Sequence, residues 1–233
     1  MRLTPARLLV ALLMVQSPYP RGTPDRVLGL LTLPQVFGAG ACDRFTPQSI
    51  TLFASPGARE PIARLQVDTY WTFHPNGGCE GLEVRVHQPG REAAGLPTEE
   101  FTYEAPAAVV VARDREWFRI RTTNGPLWLH GTPDNTYLTL VALVTSGLAH
   151  FTRDWDGSMY ATPSGTRIRT RAVSPEASVR VVSSRRLAGD LWLLVETMNG
   201  CDVDAAKTPA VRAWVRAYAS NGSPAVWFYS RGC

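Results

Sequence analysis

The chain has 233 residues, 45% of them hydrophobic and 19% charged, a balance that suits a folded protein rather than a disordered one. Its formal charge of +4 leaves no footprint for nucleic acid or an anionic membrane surface. Arg2, Arg7, Arg21 and Arg26 stand in residues 1–41 against Asp25 alone, the remaining 20 basic and 19 acidic side chains nearly cancel, and no run of five like charges occurs.

Eighteen Pro and 19 Gly make a turn-rich chain, better suited to short strands than to long helices. Lys207 is the only lysine, and every other cation is an arginine, which fits the codon bias of a GC-rich bacterial genome.

The N-terminal region holds two apolar stretches. Leu8–Val15 is an apolar run of eight, and Val27–Phe37 is a second, interrupted by Gly29, Thr32, Pro34 and Gln35. Between them lies Gln16–Arg26, polar and carrying three prolines. Neither run reaches the roughly 18 residues of a transmembrane helix, so no stable membrane insertion is expected once a leader is removed. The second run ends in Ala39-Gly40-Ala41-Cys42, and small residues at 39 and 41 are what a signal peptidase accepts. Residues 1–41 are therefore expected to be a leader, cut after Ala41, and the protein to be exported to the periplasm or beyond. Met14 offers an alternative start with one apolar run before the same cut, and a retained anchor is a further alternative. A lipoprotein anchored through Cys42 fits less well. Ala39 stands where a lipobox has Leu or Val, and lipidation would leave three of the four cysteines.

Beyond the leader a short pattern recurs, an aromatic residue, two more residues, then Pro. It occurs as Phe53-Ala54-Ser55-Pro56, Tyr103-Glu104-Ala105-Pro106 and Tyr160-Ala161-Thr162-Pro163. After the second copy, Ala108–Ala112 predicts a strand, Asp114-Arg115 a turn, and Trp117–Arg121 an alternating strand. Asn124-Gly125 is a hairpin signal and Leu127-Trp128-Leu129 its returning strand. Leu138–Phe151 is apolar enough for a short helix, but Thr139, Val141, Val144 and Gly147 favour strand or linker. After the third copy, strands are expected at Ser178–Ser183, Leu191–Glu196, Ala213–Tyr218 and Ala225–Ser230, with a turn at Arg185–Asp190.

Trp117-x-x-Ile120, Gly125 and Trp128-Leu129 resemble the bacterial SH3-like (SH3b) domain. Trp192-x-x-Val195 with Trp214-Val215 resembles it too, with an insertion of about a dozen residues that holds Cys201. Residues 42–100 depart most, with Tyr70-Trp71 as the nearest equivalent of the Trp-Val pair. The resemblance implies an all-β chain of tandem five-stranded barrels that bind peptides or cell-wall polymers without catalysis. Module boundaries are expected at 42–100, 101–148 and 149–233.

Modules this small have thin cores. The cysteines fall in the first and last of them. Pairing Cys42 with Cys79 and Cys201 with Cys233 is one of three connectivities, the one that keeps each bridge inside a module. Chain entropy suggests roughly 3–4 kcal/mol for each such bridge. The middle module has no cysteine and is expected to lean on its neighbours.

Catalytic motifs are not found. His74, His87, His130 and His150 make no H-x-x-x-H pair, no C-x-x-C occurs, and there is no Gly-x-Ser-x-Gly or phosphate loop. Asp154-Trp155-Asp156-Gly157 opens like a calcium loop, but its twelfth position is Gly165, so a turn is the better reading. No metal or cofactor is expected. The aromatics remain as ligand-binding candidates: Tyr103, Trp117, Trp128, Trp192, Trp214 and Tyr218, with Trp128 and Trp214 foremost as partly exposed rings. The expected function is a non-catalytic envelope module for peptidoglycan or a peptide; the alternative is a periplasmic subunit or inhibitor that docks on another protein.

Overall fold

Ala107–Ala112 is an unbroken apolar run, half of it valine, and too short for a buried helix. In the computed structural model it forms the middle of a ten-residue strand covered on both faces. The structure describes residues 25–37, 48–68, 72–73, 79–80, 83–102, 105–168, 173–198 and 210–231. These are mostly β. In chain order they form β1 (Gly29–Thr32), α1 (Pro34–Phe37), β2 (Ile50–Leu52), β3 (Ala63–Val67), β4 (Thr72–Phe73), β5 (Cys79–Glu80), β6 (Val84–His87) and β7 (Ala94–Gly95). There follow β8 (Thr98–Thr102), β9 (Ala105–Asp114), β10 (Trp117–Ile120), β11 (Leu127–His130), β12 (Tyr137–Thr139), α2 (Leu140–Thr145), β13 (Leu148–Phe151), β14 (Ser178–Leu187), β15 (Asp190–Thr197), β16 (Arg212–Arg216) and β17 (Val226–Phe228).

All strand pairs are antiparallel. The first sheet runs β11-β10-β9-β1-β12, with β8 also on β9, and the second runs β2-β3-β6-β7. The two are stitched where Phe53 and Trp128 exchange backbone hydrogen bonds of 2.7 and 2.9 Å. Between them lies one core, built from Leu31, Leu33, Val36, Leu52, Leu65, Val86, Val110, Ile120 and Leu129 among others. The third sheet runs β16-β15-β14-β13-β17. It curls until its two edges meet, where Ala225 N donates to Ala217 O at 2.8 Å just before β17 and just after β16. A second core fills it, with Phe151, Met159, Leu193, Val195, Val215 and Val226 fully buried.

The period-2 geometry of β9 joins the two halves. Ala108 and Val110 face the first core, while Ala107, Val109 and Val111 face a third cluster with Val27, Leu30, Leu143 and Phe228. Truncation at Val109 or Val111 would therefore be felt in both halves, and at Val110 in the first core.

Three expectations change here. First, residues 27–37 lie inside the fold. β1 sits between β9 and β12, with Leu30, Leu31, Leu33 and Val36 at most 1% exposed, so a chain beginning at Cys42 would lack a central strand. The interrupting Gly29 and Thr32, which looked like flaws in a leader, are strand residues with partners on both edges. Second, segments 42–100 and 101–148 share a single core rather than holding one each. Third, Leu138–Phe151, expected as strand or linker, has strands at its two ends and a helix between them. Thr139 Oγ1 accepts the Ala142 N–H at 3.1 Å, and this N-cap starts α2 despite two valines within it.

The strands expected from 108 onward coincide with β9 to β11 and β14 to β17, though those expected at Trp117–Arg121, Ala213–Tyr218 and Ala225–Ser230 end earlier, at Ile120, Arg216 and Phe228. β14 continues through Arg186 because Ala188 and Gly189, both at positive φ (50° and 85°), make the two-residue turn that Arg185–Asp190 was expected to supply.

Two of the three repeat copies match among the described residues. Phe53 bridges Trp128 as Tyr160 bridges Trp214. Phe53 meets Trp117 edge-on at 5.3 Å as Tyr160 meets Trp192 at 5.2 Å. Each aromatic-x-x-Pro aromatic thus docks on a Trp hairpin, β10–β11 in one half and β15–β16 in the other. Tyr103, in the remaining copy, lies outside the described residues, and Pro106 is part of β9.

Candidate functional site

At the mouth of the third sheet, the long loop after β13 and the loop between β16 and β17 leave a cleft of about 210 Å³. Local chemistry shapes both loops. Asp156 Oδ1 accepts the Ser158 N–H at 2.8 Å, an Asx turn completed by Gly157 at φ 72°. Asn221 Oδ1 accepts the Ser223 N–H at 3.0 Å, with Gly222 at φ 84°, so both segments are turns. Trp155 is pinned beneath the first loop by stacking on Phe151, ring centres 3.7 Å apart. It lines the cleft and is 7% exposed, yet its indole N–H has no acceptor among the described residues.

The floor is aromatic and the rim is charged. Tyr160 stands edge-on to Trp192, and the Arg216 guanidinium lies over the same indole at 5.5 Å. Tyr218, on the residues following β16, donates its hydroxyl to Val27 O at 2.9 Å. Burial raises the Tyr218 phenol pKa above its ordinary value, with Arg186 and Arg26 opposing the rise. Asp154 and Asp156 come from the first loop and Asp190 from the start of β15. Arg26 enters from the N-terminal segment. Its guanidinium lies 5.3 Å from the Tyr218 ring centre and 3.4 Å from Asp190 Oδ1.

The six aromatics singled out in the sequence separate. Tyr218 lines the cleft, and Trp192, wholly buried, supports it from below. Trp214 is half-buried on β16, its backbone paired with Tyr160. Trp117 and Trp128 belong to the first sheet. Trp117 is half-buried between Phe53 and His130. Trp128 is only 3% exposed, so it is core and not the open ring the sequence favoured; its strand is enclosed on the far side by Phe53. Tyr103 lies outside the described residues. So do Cys42, Cys201 and Cys233, while Cys79 is described only as backbone in β5, and the two disulfide pairings fall with them.

Sequence reasoning passed over Tyr160, Trp155, Arg216, Asp190 and Arg26. Tyr160 carried a signal as the first residue of a repeat copy. Arg26 carried none, because it stood in what read as a leader.

A broader, shallower hollow lies over β3 and β6, lined by Pro61, Ile62, His87, Pro89 and Arg91 among others. Its His87 Nε2 meets Asp68 Oδ1 at 2.6 Å, but both side chains are partly exposed and no Phe, Tyr or Trp lines the hollow. The cleft is the better candidate because it collects aromatic rings and charges of both signs in one place. Among the described residues, no cluster of three His, Cys, Asp or Glu side chains could hold a metal, and no helix is long and apolar enough to cross a membrane.

Comparison with known proteins leaves the geometry to speak for itself: no family model, no curated protein and no solved structure matches the chain.

Proposed function

We propose that this chain is a non-catalytic binding protein of the bacterial cell envelope, built on SH3-like barrels, that takes peptidoglycan or a peptide in the cleft beside Tyr160 and Tyr218. The strand order β16-β15-β14-β13-β17 and the contact between its edges support a five-stranded barrel reading of the C-terminal half. The observation that carries the function is the cleft itself. The rings of Tyr160 and Tyr218 sit beside charges of both signs, the mixture that grips a polar, extended ligand. Export in this reading falls to Leu8–Val15, since Val27–Phe37 supplies β1 and α1. In an oxidising envelope, bridges Cys42–Cys79 and Cys201–Cys233 would stabilise the two halves.

The test is co-sedimentation of the full-length chain with purified peptidoglycan, beside Tyr160→Ala and Arg216→Ala variants shown by circular dichroism to be folded. Binding that either variant weakens tenfold or more is the expected result. Absence of sedimentation at tens of micromolar would reject a wall ligand and redirect the cleft to a protein partner.

A further inference from the structure

The cleft already holds a cation, and it is the chain's own. Arg26 lies over the Tyr218 ring at 5.3 Å and reaches Asp190 at 3.4 Å. Its side chain remains 42% exposed, and that of Asp190 38%. An aromatic face beside a carboxylate is a seat for guanidinium or ammonium, since the ring quadrupole and the negative charge both favour it. The backbone next to Arg26 is fixed: Val27 is 3% exposed, and its carbonyl accepts the Tyr218 hydroxyl. The arginine side chain can therefore swing out to solvent without disturbing the strap that carries it.

From this geometry we propose that Tyr218 and Asp190 form a cation subsite for an arginine or lysine side chain of a peptide ligand, and that Arg26 is a built-in competitor a ligand must displace. This rests on the reading of the cleft as the binding site and adds the chemistry of what it binds. Charge supports it. With Arg26 swung away, the cleft lining keeps Asp154, Asp156 and Asp190 against Arg216, which is stacked on Trp192, while Arg186 stands outside the lining but near enough to act on the Tyr218 phenol.

Isothermal titration of the full-length chain with acetyl-Gly-Arg-Gly-amide, and with the same tripeptide carrying citrulline, tests the subsite. Citrulline keeps the shape of arginine without its charge. Arg26→Ala is expected to bind the arginine tripeptide about tenfold tighter than wild type, the combined weight of a partly exposed cation–π contact and ion pair. It should bind the citrulline tripeptide at least tenfold more weakly than the arginine one. Adding Asp190→Asn to Arg26→Ala should abolish the gain. Equal affinity for wild type and Arg26→Ala, or equal affinity for the two tripeptides, would overturn the proposal. If Arg26→Ala does not fold, Arg26→Gln carries the same expectation. Failure on peptidoglycan with success on the arginine tripeptide would reject the wall ligand and keep the subsite; the converse would reject the subsite alone.

Discussion

A chain that starts at residue 42 should not fold. The perturbation removes β1 and α1, and with them Leu30, Leu31, Leu33 and Val36, each at most 1% exposed. Replacing one fully buried leucine by alanine costs about 2–5 kcal/mol, transfer and cavity together. Losing the three leucines alone thus amounts to roughly 6–15 kcal/mol, comparable with the whole stability of about 5–15 kcal/mol expected of a native domain. The loss falls on two cores, because Leu31 and Leu33 fill the first and Leu30 the cluster that joins the halves. It also strips β9 and β12 of the partner between them. The assay compares chains 25–233 and 42–233 by thermal melting in far-ultraviolet circular dichroism and by binding of a hydrophobic dye. The first should melt cooperatively, and the second should bind dye and lack a cooperative transition. A soluble 42–233 chain melting within a few degrees of the longer one would refute the placement of β1 and restore a cut after Ala41.

Other outcomes follow from the same packing. Gly29→Ala should destabilise by about 2–4 kcal/mol in urea titration, because a Cβ there would overlap the Leu138 carbonyl oxygen across the β1–β12 pair. Trp128→Ala should cost about 3–5 kcal/mol by the same titration and leave ligand affinity of the surviving folded fraction unchanged, since the ring is 3% exposed and remote from the cleft lining. Burial lowers the pKa of His150, whose Nδ1 has no hydrogen-bond partner among the described residues. The unfolded chain therefore takes up a proton before the folded one does, so stability should fall as pH drops through about 6.5 and level off below the folded pKa. His150→Gln should flatten that part of the melting-temperature profile between pH 8 and pH 5, and an unchanged profile would remove His150 as its cause.

Strands and turns after residue 105 were legible because their signals are local. Asn124-Gly125 and the Trp-x-x-Ile alternation need no tertiary help. Two things were not legible. An apolar stretch followed by Ala-Gly-Ala looks the same whether it is a leader or a buried strand, and only the partner strands β9 and β12, some 80 and 110 residues away, decide between them. Ring exposure was also hidden. Trp128 and Trp214 occupy the same place in their hairpins, and what differs is the cover each receives, which is set by long-range packing.

The two matched copies of the repeat show what distinguishes the cation seat from its counterpart among the described residues. Aligning Trp117 with Trp192 and Trp128 with Trp214 places Phe53 opposite Tyr160, His130 opposite Arg216, Arg115 opposite Asp190 and Thr132 opposite Tyr218. His130 covers Trp117 edge-on at 5.0 Å much as Arg216 covers Trp192, so the scaffold is shared. The seat is not. The carboxylate becomes a guanidinium at Arg115, and the phenol becomes Thr132, whose hydroxyl is engaged by Gln35 at 2.7 Å. Two side chains at matched positions thus distinguish the seat from its counterpart, and the N-terminal strap that completes the first half's sheet places Arg26 in the second half's seat.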